Sequence, residues 1–350
     1  MPSGLKATLI QAISPSSPSI SIFSPVFISQ ILSPEIAKPA ILLLALAIDL
    51  ALGDPPNRYH PVAWLGRLLA AGRRRLCRGS PISLLAGGTA VTLTVATFAA
   101  VIGAGVTSLA HRLGFAGLVL EAMALTCLLS LRGLVVTARE VAAYLGRGDL
   151  VGARRAVGYH LVSRPTADLD QGHVASAAVE SVAENLTDSL VAPALCFLAG
   201  GLAAAAFYRV INTADAMFGY REGALEYFGK VAARLDDLMN LIPARLAGLG
   251  VVAGAPLAGE SASGAFTALR RDRRRTASPN AGWTMSAMAG ALGVTLEKPG
   301  AYRLGAGHPP SAGDIERSLR VLYAAVIVSL VGLLAAYLYG RHLGLPLSSM

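Results

Sequence analysis

Residues 79–110 read GSPISLLAGGTAVTLTVATFAAVIGAGVTSLA, without a single charged side chain. A helix crosses the hydrocarbon of a bilayer with about 20 apolar residues, so this stretch reads as a membrane span and decides the fold. Outward from it, residues 321–340 form a second uncharged run. Residues 189–208 form a third, rich in Ala and Gly and interrupted by Pro193. Residues 113–136 read as a span that carries Glu121 and Arg132, whose charges must face protein or water or pair with each other. Residues 36–52 are a shorter apolar run ending in Asp49, and 246–259 are uncharged but short for a crossing. The expectation is an all-α, polytopic membrane protein with about four to six embedded segments joined by helical polar loops.

Composition agrees. Of 350 residues, 54% are hydrophobic and 15% charged, against roughly 25% charged in a soluble domain. The mean hydropathy is +0.56, and the 37 glycines suit close helix packing in lipid. These values exclude a secreted disulfide scaffold, a disordered chain and a plain cytosolic enzyme. Cys77, Cys127 and Cys196 are scattered and form no CxxC pair, which argues against zinc. Residues 1–35 are dense in Ser and Pro and read as a disordered leader; 36–345 read as one membrane domain. No strand-like alternation of any length stands out.

The net charge of +9 is unevenly spread. Arg67, Arg73, Arg74, Arg75 and Arg78 cluster before the decisive span, and Arg270, Arg271, Arg273, Arg274 and Arg275 before the last. Both clusters are expected on the cytoplasmic side, fixing orientation. No aromatic-interleaved basic motif points to nucleic acid. Residues 165–245, by contrast, hold ten acidic and five basic side chains.

That acidic region contains AAVESVAENLTD (177–188), where Glu180, Glu184 and Asp188 recur every four residues. On a helix they share one face, and like charges so spaced repel. A divalent cation, a basic partner or open water must offset the repulsion. Mg²⁺ takes oxygen ligands from one or two carboxylates plus phosphate. Upstream, Arg164 and Thr166 in SRPT suit a phosphate or carboxylate, or are plain surface residues. Asn212, Thr213 and Asp215 follow a membrane-type run, as a helix cap or part of a site. Arg234, Asp236, Asp237 and Asn240 form either an ion-pair cluster or, beside the acidic face, a metal–phosphate site; Pro243 should then bend or end the helix. Asp54 and His60 occupy a turn after the first apolar run, where His60 is a proton-transfer group or a turn residue. Ser278 and Asn280 sit in a second polar turn, and Arg245 is a further candidate for phosphate.

Several of these segments together resemble one family, the integral-membrane cobalamin biosynthesis proteins called CobD or CbiB. The resemblance rests on GDP…HPV (53–62), AAVESVAEN (177–185), APALCFLAGG (192–201), INTADAMFGY (211–220), FGKVAARLDDLMNLIPARL (228–246), SPNAG (278–282) and MAGALGV (288–294). It spans roughly residues 40–340 in one order. Two departures stand beside the acidic helix. The family's GRDT is here SRPT, with Pro165 for Asp, and its ENTSDG is here ENLTDS, with Ser189 for Gly.

The resemblance implies adenosylcobinamide-phosphate synthesis: aminopropanol or its phosphate is joined in amide linkage to the f propionate of adenosylcobyric acid, with ATP and Mg²⁺. It also implies residence in the cell membrane, with other cobalamin-pathway enzymes as possible partners. On this reading Glu180, Glu184, Asp188, Asp236 and Asp237 hold Mg²⁺ and act with Asp215 in catalysis. Arg164, Thr166, Asn185, Asn212, Thr213, Arg234, Asn240, Arg245, Asp54, His60, Ser278 and Asn280 bind substrate or phosphate. No Gly-rich phosphate loop marks an ATP site. Two other readings stay open: a Mg²⁺-dependent membrane phosphotransferase or prenyltransferase, and a non-enzymatic corrinoid binder or transporter. For a cytoplasmic site, 189–208 and 246–259 are expected to form a re-entrant pair, kinked at Pro193.

Overall fold

The computed structural model describes residues 34–162 and 165–344. Helices α1 (Pro34–Leu52) and α2 (Pro61–Leu76) lead into α3 (Pro81–Arg112), the helix made from the uncharged run. Next come α4 (Phe115–Thr126), α5 (Leu131–Gly146) and α6 (Leu150–His160). Helix α7 (Gln171–Leu186) continues through a π turn (Thr187–Val191) into α8 (Ala192–Phe218). The short α9 (Leu225–Phe228) and α10 (Lys230–Met239) follow, then α11 (Leu241–Gly254), closed by a 3₁₀ turn at Ala255–Ala258. Then come α12 (Ala262–Asp272), α13 (Ala281–Leu292), strands β1 (Thr295–Lys298) and β2 (Tyr302–Gly305), and the long α14 (Ala312–His342). The expected leader lies outside the described residues except at its end. Pro34 and Glu35 already belong to α1, where proline's fixed φ suits a first turn.

Five helical stretches are long and apolar enough to cross a membrane: Pro81–Arg112, Phe115–Gly146, Gln171–Phe218, Leu241–Ala258 and Ala312–His342. The protein is thus a polytopic helical membrane protein. The run at 246–259 is longer than it looked, because the helix starts at Leu241 and the stretch reaches 18 residues. Small residues set the packing. Gly103 lets α3 approach the backbone of α8, since a Cβ there would sit 2.9 Å from the Leu202 carbonyl oxygen.

Three details depart from the expectation. The interruption in the 189–208 run falls at Gly200–Gly201, where Gly201 takes φ +67°, and not at Pro193. Pro193 follows the π turn in the first turn of α8, and such a turn absorbs the missing proline N–H. A hairpin exists: β1 and β2 pair antiparallel, with buried Leu296 opposite buried Leu304. Four-residue strands are too short for alternation to register in the sequence. Finally, Glu121 and Arg132 do not pair with each other. Glu121 accepts a 2.7 Å bond from Thr107 Oγ1. Arg132 donates to the Leu50 and Ala51 carbonyls and so caps the end of α1. Asp49 returns the favour, accepting the Leu131 and Arg132 N–H groups at 3.0 and 3.1 Å at the start of α5. Pro243 behaves as expected. The chain breaks at Asn240, between α10 and α11, with Pro243 inside the first turn of α11.

Candidate functional site

The four-residue spacing of Glu184 and Asp188 survives the passage from α7 into the π turn, so both face the same side. Asp215 comes from the last turn of α8, Asp236 and Asp237 from α10, and Asn240 from the α10–α11 joint. Together with Ser278 and Asn280 they line one cavity of about 250 Å³. Five carboxylates thus meet in a space whose lining contains one cation, Arg221. Gly219 closes one wall, where a Cβ would collide with the Asp215 carboxylate.

The polar scaffold behind the cavity is specific. Asp236 accepts from Asn212 Nδ2 at 3.2 Å on one oxygen and from Asn240 Nδ2 at 3.0 Å on the other. Buried Asn240 is itself oriented by Tyr208, whose hydroxyl donates to its Oδ1 at 3.0 Å. Asn280 donates to the Asp237 carbonyl at 2.7 Å, and Ser278 Oγ lies 3.4 Å from the Asp237 carboxylate. Arg245 holds Asn280 in turn, at 2.6 Å, while its guanidinium stacks on Trp283. Burial raises the proton affinity of Asp236 above the ordinary carboxylate range, against the pull of its two asparagine donors. Burial also raises Asp237, with Ser278, Arg234 and Arg221 opposing.

A second cavity of about 230 Å³ shares Gly219, Arg221, Ala233 and Asp237 with the first. Arg221, Lys230 and Arg234 line it, with Glu226 as the further acid. The site is therefore an acidic chamber with a basic annex.

Some expected residues lie elsewhere. Glu180 shares the helical face but is buried one turn away, bonded to Ser176 Oγ at 2.7 Å and to Tyr302 of the hairpin at 2.9 Å. Asn185 turns back on its own helix, bonding Ser181 and accepting from Ser189 Oγ at 3.0 Å. The Ser at this departure from the family pattern is thus a partner of the π turn. Thr213 bonds the Arg209 carbonyl and Thr166 the Arg154 carbonyl, both as local ties. Asp54 and His60 form their own corner. His60 Nε2 lies 3.4 Å from Asp54, whose other oxygen accepts from Ser130, and His60 Nδ1 caps α2. Arg164 lies outside the described residues. Thr187 and Arg221 line the cavity although neither was singled out in the sequence; Thr187 lies inside AAVESVAENLTD and Arg221 directly follows INTADAMFGY, which are the available signals.

The donor set suits Mg²⁺ in one particular way. Among the described residues no three His, Cys, Asp or Glu side chains are gathered as a ready metal cage. All-oxygen donors spread over one wall fit an ion held by one or two carboxylates, water and a ligand's phosphate. Glu184, Asp188, Asp236 and Asp237 are the residues placed to supply them.

A profile of the family described as CobD/Cbib protein matches residues 42–330. The "Probable cobalamin biosynthesis protein CobD" of Methanothermobacter thermautotrophicus is 40% identical over 300 residues, covering 86% of this chain and 97% of that protein. The "Cobalamin biosynthesis protein CobD" of Geobacter metallireducens is 42% identical over 283 residues, covering 79% and 86%. That of Brucella anthropi is 37% identical over 325 residues, covering 88% and 99%. No solved structure matches the chain. With the match running from α1 to α14 and through every wall of the acidic chamber, the chain belongs to the CobD/CbiB family.

Proposed function

We propose that this chain acts in cobalamin biosynthesis and joins aminopropanol, or its phosphate, to the f propionate of adenosylcobyric acid as an amide. The observation that carries the reading is the acidic chamber sharing a wall with a basic annex. The reaction brings together a cationic amine, a carboxylate and phosphate groups, and the two halves offer one field for each sign. The names of the relatives support the pathway.

On this reading the ammonium group enters the acidic chamber and must lose a proton before it can attack a carbonyl. Asp237 is suited to take it, because burial raises its proton affinity and Asn280 and Ser278 hold it in place. Asp236, its two oxygens fixed by Asn212 and Asn240, would help hold the Mg²⁺. Arg221, Lys230 and Arg234 hold phosphate oxygens through charge-assisted hydrogen bonds. Mg²⁺ and ATP, when bound, would supply charge neutralisation and activation of the carboxylate. The chamber faces the cytoplasm of the cell membrane on this reading.

The test is a purified protein in nanodiscs given adenosylcobyric acid and each amine donor, with and without ATP and Mg²⁺. The coloured product is separated and weighed by mass spectrometry, and released phosphate is counted. Wild type gives product with matching phosphate release, whereas Glu184→Gln and Asp236→Asn, which remove carboxylates placed to hold Mg²⁺, lose at least about 10-fold in rate. Wild-type-like amide formation in both variants would remove the chamber from the mechanism. Corrinoid binding without product would favour the binder or transporter reading. Labelling a Glu222→Cys variant, with the three native cysteines replaced, tests the side. Labelling from outside alone would place the chamber on the wrong face.

A further inference from the structure

Between residues 55 and 120 the chain contains no acidic side chain, yet Arg67, Arg73, Arg74, Arg75 and Arg78 fall there. Among the described residues, none of these five guanidinium groups has a hydrogen-bond or ion-pair acceptor. The second arginine cluster is different. Arg271 and Arg275 are fastened to buried Asp272, and Arg273 stacks on Trp283. Among the described residues, every arginine of the second cluster but Arg274 has a side-chain partner, whereas the first cluster is held free.

The free cluster borders a cleft. Helix α2 lies antiparallel along the first half of α3: Leu76 meets Gly87, and Gly72 meets Val91, where a Cβ would come within 2.6 Å. Between the two helices is a space of about 470 Å³, lined by Leu68, Arg75, Leu76, Ala90, Thr94 and Phe98 among others. Leu68, Arg75 and Leu76 fall on one stripe of α2, and Ala90, Thr94 and Phe98 on one stripe of α3. The lining is apolar except for Thr94 and for Arg75, which sits at the end nearest the start of α3. Leu68 is 46% and Phe98 51% exposed, on helices of which α3 crosses the membrane. The cleft therefore offers a mostly apolar trough along the span and a cation at one end.

We infer that the α2–α3 cleft binds one anionic glycerophospholipid, its phosphate on Arg75 and an acyl chain against Leu68, Leu76 and Phe98. Charge complementarity selects this occupant: an arginine-rich rim without acids attracts anionic headgroups. An apolar groove on a spanning helix meets lipid before it meets anything else. An ordinary annular lipid would need neither a groove between two helices nor a free arginine at its end.

Native mass spectrometry tests this with full-length protein in micelles doped with equal phosphatidylglycerol and phosphatidylcholine. Wild type should retain one phosphatidylglycerol per chain in preference to phosphatidylcholine. Arg75→Gln should lower that preference about fivefold, the worth of one basic residue at an anionic surface. Arg274→Gln, in the other cluster, should leave it unchanged. Filling the trough with Ala90→Phe and Thr94→Phe, both at exposed positions, should abolish retention with every arginine intact. A melting curve for each variant confirms the fold. Equal retention of the two lipids, or undiminished phosphatidylglycerol in the filled variant, would overturn the site. So would a wild-type dimer that dissociates when the trough is filled, since the occupant would then be a second copy.

Discussion

Replacing Asp236 by Asn keeps the shape of a side chain that burial, with the charge of Asp237, makes costly to ionise. The structure sets two opposing terms. The two asparagine N–H bonds to a charged acceptor are worth about 1.5–3 kcal/mol each, and an amide keeps one of them at about 1 kcal/mol. Against that, two like charges about 4 Å apart repel by roughly 4 kcal/mol at an effective dielectric of about 20, and the charge of Asp237 acts on Asp236 in this sense. Burial adds to the repulsion, and the raised proton affinity of Asp236 says that the ionised form loses on balance. Asp236→Asn should therefore stabilise the metal-free protein by about 1–2 kcal/mol. The pH dependence has a definite sign. A carboxyl with a raised folded-state pKa takes up protons on folding, so wild-type stability falls as pH rises from about 4 through the raised value. The variant should show a flatter profile. Saturating Mg²⁺ should reverse the order, because an ion at 100 times its Kd adds about 2.7 kcal/mol to a protein that binds it. Denaturant or thermal melting in micelles, across pH and with or without Mg²⁺, reads all three. A metal-free variant weaker than wild type would mean that the hydrogen bonds outweigh the repulsion. Equal Mg²⁺ stabilisation of both proteins would take Asp236 out of the ion's reach.

Gly88→Ala forces a methyl into the Phe228 carbonyl and should cost about 1–3 kcal/mol by overpacking, whereas Gly105→Ala, with nothing near its Cβ position, should be neutral or better by the same melting assay. Asp272→Asn disrupts the grip of Arg271, at 2.9 and 2.7 Å, and of Arg275, at 3.2 Å, on the end of α12. With both arginines about half exposed, the loss should be about 2–3 kcal/mol and should appear as faster hydrogen exchange in the β1–β2 hairpin, whose Gly305 N–H the same carboxylate accepts. Arg221→Gln should raise KM for a phosphate-bearing donor by about 10- to 100-fold, the worth of one charge-assisted bond; a fall in kcat at unchanged KM would give Arg221 another role.

The spans were legible because an uncharged run of 32 residues has one physical destination. The carboxylates of the chamber were legible because spacing puts Glu184 and Asp188 on one face, and acid pairs near membrane runs are conspicuous. What spacing could not reveal is which way a side chain is held. Glu180 fits the same four-residue rule as Glu184, yet Ser176 and Tyr302 hold it on the far side of a turn. Tyr302 is 122 residues away in the chain, and no local pattern contains it. Arg132 and Glu121 looked like a pair because both are charges in one apolar run, but the end of α1 supplied partners for Arg132 and the Thr107 hydroxyl one for Glu121. Arg221 and Thr187 are ordinary residues in the sequence and matter only because four elements converge on them.

The π turn at Thr187–Val191 joins α7 to the stretch of α8 before Gly200–Gly201 as one rod with an offset in its phase. Each residue of a regular α-helix advances the chain by about 100° and 1.5 Å, so one wide turn re-indexes everything after it. Asp188 sits inside the offset, and Asn212 and Asp215 lie beyond it. Deleting Leu190 would leave every quoted motif intact while turning the segment after it by about 100°. Charge and apolarity could survive such a lesion, but the register that follows Asp188 could not: in this stretch the chain carries information in its count as much as in its letters.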